Sequence, residues 1–153
     1  MKHNVDHRTI YSTVRDLHLL IDSIPKYSPT HSSEIIYENV TSLTLIANKT
    51  FSESSLIHYL SLILNFREIR SLIIQFDRCS NDFLRYLIGK CSKLKTLIIS
   101  SYRSWSQLVD LSSILAKSSI RSLTVHELLT NLTSYKNLQE LFDSLEIISI
   151  TVP

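Results

Sequence analysis

Glycine is nearly missing from this chain: Gly89 is the single one in 153 residues. Loops that cradle a phosphate or dinucleotide need several residues that tolerate positive φ or admit a ligand close to the backbone. The common nucleotide-enzyme motifs are therefore excluded. Cysteine is almost as scarce. Cys79 and Cys91 show no metal-ligand spacing and read as reduced core or loop thiols of an intracellular protein, cytoplasmic or nuclear. The sequons at Asn39, Asn48 and Asn131 are chance matches expected of a chain rich in Ser, Thr and Asn, and the polar start holds no secretory leader. Charge of one sign is lacking too: 16 Lys and Arg against 14 Asp and Glu leave +2, too little for a dedicated nucleic-acid binder. The longest apolar stretch, Leu56 to Phe66, is broken by His58, Ser61 and Asn65 and cannot cross a membrane. Catalytic phrases are thin. The histidines share no useful spacing beyond His3 and His7, which have no third ligand nearby, and neither a nucleophile elbow nor paired carboxylates appear. A non-enzymatic protein without cofactor or metal is expected.

What is present is one short phrase, apolar-x-x-apolar-x-apolar, repeated six times. It begins at Val14, Val40, Ile69, Leu94, Ile120 and Leu145, and its middle apolar residues are Leu17, Leu43, Leu72, Leu97, Leu123 and Ile148. The steps between those anchors are 26, 29, 25, 26 and 25 residues, the period of a repeat array. Inside the phrase apolar residues alternate, as in a strand. After it comes helical spacing: Leu56, Ile57, Leu60, Ile63 and Leu64, then Phe83, Leu84, Leu87, Ile88 and Cys91, then Leu108, Val109, Leu111, Ile114 and Leu115. Ser54, Ser80 or Asn81, and Ser106 are placed to cap these helices. A last helix is expected over 134–144. Pro25 and Pro29 make the first unit irregular, with a short helix at most over 33–39. A strand-plus-helix repeat stacks its strands in parallel, and each strand completes the burial of its neighbour. The expected fold is thus α/β: a solenoid arc of about six strands, roughly 24 Å wide at ~4.8 Å per strand, with the parallel sheet concave and helices on the convex side. It would occupy 14–153 behind a polar tail, 1–13.

These phrases carry a resemblance. The chain is similar to leucine-rich-repeat proteins of the long, ribonuclease-inhibitor-like type, and Cys91-Ser-Lys-Leu94-Lys-Thr-Leu97-Ile-Ile99 resembles the repeats of F-box/leucine-rich-repeat substrate receptors. The resemblance covers about residues 14 to 152. Its usual Asn after the strand matches at Asn48, with Asp22 and Asp77 as polar stand-ins and Tyr102 and Leu128 as departures. The thirteen residues before Val14 are too few for an F-box, so the likeness is to the recognition half alone. It implies a protein that captures another protein.

Alternation nominates the surface. If Leu43, Leu72, Leu97 and Leu123 point inward, Thr44, Ile73, Ile98 and Thr124 face out, as do Ile46, Gln75, Ser100 and His126. Ile46, Ile73 and Ile98 would form an apolar spot edged by hydroxyls and an imidazole, the profile of a partner site. A second column reads Arg15, Thr41, Arg70, Lys95, Arg121, Glu146. Three successive cations in it favour an acidic partner segment, unless Glu68 or Asp110 neutralises them locally. Tyr102-Arg103-Ser104-Trp105 is expected as a loop after the fourth strand, with Tyr102 and Trp105 as candidate anchors. Three functions stay open: a protein-interaction module, recognition half of a ubiquitin-ligase receptor; a fragment or self-associating segment of a larger solenoid, joined through the uncapped C-terminal strand; and an enzyme inhibitor. The last lacks the cysteine-rich, acidic character of the ribonuclease inhibitor.

Overall fold

A computed structural model of the chain describes residues 9–23, 35–76, 78–129 and 145–150. Each of the six phrases supplies a strand of one parallel sheet: β2 (Asp16–Leu20), β4 (Ser42–Ala47), β5 (Ser71–Phe76), β6 (Thr96–Ser104), β7 (Ser122–Leu129) and β8 (Ile147–Ile150). They lie side by side in chain order, with the anchors Leu17, Leu43, Leu72, Leu97, Leu123 and Ile148 in one register row. Helices α1 (Glu53–Ile63), α2 (Asn81–Lys90) and α3 (Trp105–Lys117) connect the four middle strands. A parallel pair needs such a crossover, because the end of one strand and the start of the next lie at opposite ends of the strands.

Neighbouring repeats are locked by a backbone device that side-chain patterns do not reveal. The carbonyl of each of the first five residues in the second column accepts two N–H groups from the next repeat. Arg15 O takes Thr41 and Ser42, Thr41 O takes Arg70 and Ser71, Arg70 O takes Lys95 and Thr96, Lys95 O takes Arg121 and Ser122, and Arg121 O takes Glu146 and Ile147, all at 2.8–3.1 Å. Five identical junctions hold the column in line and set the strand register.

The core lies on one side of the sheet. Leu43, Leu45, Leu72, Ile74, Leu97, Ile99, Leu123 and Val125 are completely buried there, beneath Leu56, Leu60 and Ile63 of α1, Phe83, Leu84, Leu87 and Ile88 of α2, and Leu111 and Leu115 of α3. Cys91 is buried with them, and its desolvation pushes the thiol pKa up to about 12, so it is held as the unreactive thiol. Phe51, Phe76 and Phe83 interlock at ring separations of 4.8–6.3 Å, tying the end of β5 to α2. α2 begins at Ser80, whose Oγ accepts from Phe83 N at 3.1 Å while Glu53 receives its N–H at 2.6 Å and its hydroxyl at 2.5 Å. One acid of α1 thereby fixes the cap of the next helix.

Several expectations are corrected. Where at most a short helix is expected, the described residues 35–39 hold none: Ile35–Ile36 form β3, paired in parallel with β1 (Thr9–Ile10), because β-branched residues there find an extended partner. β1 falls within the segment expected as tail, where Tyr11 is stacked on Tyr37 at 5.3 Å. Ser52, not Ser54, caps α1, and Ser106 is inside α3 rather than before it. Tyr102 to Ser104 are not a loop but the end of β6, with Trp105 opening α3. The register slips by one residue between Ser100 and Arg103, and β6 and β7 run to nine and eight residues against five or six in β2, β4 and β5. The strands run on through Tyr102 and Leu128, the two positions that depart from the repeat's usual Asn. The helix expected over 134–144 lies outside the described residues.

Candidate interaction face

The face of the sheet opposite the core carries no helix among the described residues, and its side chains line up in three rows. One is Asp16, Ser42, Ser71, Thr96, Ser122 and Ile147; the next is His18, Thr44, Ile73, Ile98, Thr124 and Ser149; the third is Leu20, Ile46, Gln75, Ser100 and His126. Neighbours within a row stand about 4.8 Å apart and rows about 6.8 Å, so three rows make a continuous surface.

The expected apolar spot is present and larger than alternation alone suggested. Ile73 and Ile98 are adjacent and half-buried, Ile46 lies diagonally beside Ile73, and Leu20, 47% exposed, continues the strip across β2. Leu20 was missed because the phrase ends one residue before it. Gln75 is exposed, while Ser100, Thr124 and His126 are half-buried around the strip.

Thr44 is a correction. Its exposure is only 3%, so it offers nothing to a partner, and its Oγ1 has no hydrogen-bond partner among the described residues. Thr44 stands between His18 and Ile73 across the register, and between Ser42 and Ile46 along its strand. An unmet buried hydroxyl costs about 1–3 kcal/mol. Thr44→Val, which removes it at nearly constant shape, is expected to raise stability by about 1 kcal/mol in urea unfolding; a loss would mean that the hydroxyl is satisfied.

The row of Ser42, Ser71, Thr96 and Ser122 was also missed, since each is the second of the two unspecified positions before the middle apolar residue of its phrase and looks like filler. All four are half-buried hydroxyls along one border of the face.

Beyond that border the second column forms the rim. Arg70, Lys95 and Arg121 are exposed on successive repeats. The local acids do not neutralise all three. Glu68 is taken by Lys93, whose Nζ donates to both its oxygens at 2.9 and 3.0 Å. That bond holds the Glu68 carboxyl below its ordinary value, with the Lys93 and Arg70 charges contributing less. Arg121 Nε stands 3.8 Å from Glu146 Oε1, both widely exposed. Arg70 and Lys95 make no ion pair among the described residues.

No protein family, curated protein or solved structure matches this chain. The face has to be read from its own chemistry. Of Tyr102 and Trp105 the structure describes the backbone alone, so it neither brings them to this face nor removes them. Among the described residues there is no group of three or more His, Cys, Asp or Glu able to hold a metal, and no helix long and apolar enough to cross a membrane. His3 and His7 lie outside the described residues. A separate cleft of about 360 Å³ opens past the ends of β4 and β5, between Ala47, Phe51, Phe76, Lys49 and Arg78. Glu53, the acid among its described lining residues, accepts from the N–H and the hydroxyl of Ser80.

Proposed function

We propose that this chain is a non-enzymatic protein-interaction module of the leucine-rich-repeat kind, which holds a segment of a partner protein across the open face of its sheet. The observation that carries the reading is the oblique strip Leu20, Ile46, Ile73 and Ile98, left uncovered by any helix of the described chain and edged by hydroxyls. An apolar centre with a polar, hydrogen-bonding margin is what interfaces bury first. The partner's apolar side chain settles over Ile73 and Ile98, and its acidic residues lie toward the rim of Arg70, Lys95 and Arg121. The resemblance to the recognition half of F-box receptors makes a substrate of ubiquitin ligation one natural class of partner.

The deciding experiment is affinity capture with the intact face and with Ile73→Asp plus Ile98→Asp, followed by measured affinity for the captured partner. Binding that survives both changes puts the site elsewhere. The rim is tested separately by reversing Arg70, Lys95 and Arg121 to Glu. Association should slow about tenfold or more at low salt and much less at 0.5 M salt, with dissociation little altered, because rim charges act on encounter. Rates unchanged at low salt would remove the acidic segment from the proposal.

A further inference from the structure

Positions that the interior repeats bury completely are left open at both ends of the sheet. Val40, Ile69, Leu94 and Ile120 are at most 1% exposed, whereas their counterparts Val14 and Leu145 are only half-buried. Leu43, Leu72, Leu97 and Leu123 are fully buried, whereas Leu17 and Ile148 are half-buried. Ile147, on the outer strand β8, is 58% exposed. These are two halves of one repeat junction, the leading half at β2 and the trailing half at β8.

The rim shows that the halves are complementary as well as open. The second column starts with a cation, Arg15, and ends with an anion, Glu146, which is 72% exposed. Extended by one more repeat in the same register, the column would place Arg15 of a second copy beside Glu146. Arg15 gives one donor, Nη1, to Asn39 O at 3.1 Å, and its remaining donors can serve another acceptor. The Glu146 carbonyl then has the role of the five column carbonyls before it, accepting N–H groups from residues 15 and 16 of the next copy. Ile148 meets Leu17, and Ser149 meets His18. Ile147 against Asp16 is the poorest match in the row.

We infer that a second copy of this chain docks head-to-tail, its β2 adding in parallel to β8, so that the sheet continues from one molecule into the next. This does not depend on what the open face binds. A head-to-tail contact is heterologous: each copy keeps one end unused, and assembly proceeds beyond a dimer unless the curvature closes a ring.

The test is sedimentation velocity of the full chain over a hundredfold concentration range at low salt. The wild type should shift to larger species as concentration rises. Arg15→Glu alone and Glu146→Arg alone should each weaken association about tenfold, since each sets like charges together. An equimolar mixture of the two variants should restore it, because each end then meets the opposite charge. Both changes lie on exposed side chains, and circular dichroism confirms that the variants fold. A monomer at every concentration overturns the inference. So does a discrete dimer insensitive to Arg15→Glu, the behaviour of two β8 edges pairing with each other, and so does a mixture that associates no better than its components.

Discussion

Ile73→Asp with Ile98→Asp is expected to abolish partner capture and to leave the fold standing. The two isoleucines are neighbours in the register on the open face and only half-buried. Their replacement therefore removes little from the core, which lies on the other side of the sheet. In a complex the same positions are covered. With half of each side chain already buried, covering the rest is worth roughly 0.75–1.5 kcal/mol per residue, and each carboxylate must shed water against an apolar surface without a partner. Even the low end of that range, summed over two residues, weakens binding by about tenfold before the carboxylates are counted. The control is Leu62→Asp, which places the same charge on α1, 42% exposed and away from the face. It should leave affinity unchanged. If the double variant and the control behave alike, the loss is nonspecific and the proposal fails.

Leu72→Ala should be the most damaging single truncation of the core. Leu72 is fully buried on a central strand, with Leu43 on one side of it in the register and Leu97 on the other. Deleting three carbons there costs about 3 kcal/mol, a sum of lost transfer energy and the cavity left behind. For a domain of this size that lowers Tm by roughly 10 °C. The same change at the end of the array, Leu17→Ala, should cost less than half as much, because Leu17 is half-buried and has one register neighbour. The contrast matters more than either value. Stacked repeats share their stability across interfaces, so an inner position supports two junctions and an outer one supports a single junction. Equal costs at Leu17 and Leu72 would contradict a stack and favour a core that is indifferent to repeat position. Thermal and urea unfolding of the two variants decide between them.

Particular residues show how far the repeat phrase carries. Anchors read from alternation alone, Leu17 through Ile148, form one register row without an exception. Of the apolar residues at helical spacing after the second and third phrases, α1 buries Leu56, Leu60 and Ile63 and leaves Ile57 half-buried, while α2 buries Phe83, Leu84, Leu87 and Ile88; Leu64 and Cys91 are buried just past the helix ends. Even the departures at Tyr102 and Leu128 carried information, since both lie where the strands run on. The failures share a cause. Thr44 belongs to the exposed set by period, and only the neighbours brought beside it by pairing sink it to 3% exposure. Residues 33–39 suggested a helix because β1, the partner that makes Ile35–Ile36 a strand, lies 26 residues upstream. Leu20 and the row of hydroxyls acquire meaning only as members of a surface shared by several strands.

From the sequence alone follow the period, the alternation of strand and helix, and the side of each strand that enters the core, because these are local patterns with a local physical cause: residues i and i+2 share a face of a strand, and i, i+3 and i+4 share a face of a helix. The tertiary structure alone decided how the repeats meet: the carbonyls that take two N–H groups each, the Phe51, Phe76 and Phe83 cluster, the hold of Glu53 on Ser80, and the rows that turn isolated residues into a face. Apart from Phe76 against Phe83, contacts of that kind join residues about 25 or more positions apart, and no short window along the chain spans both partners.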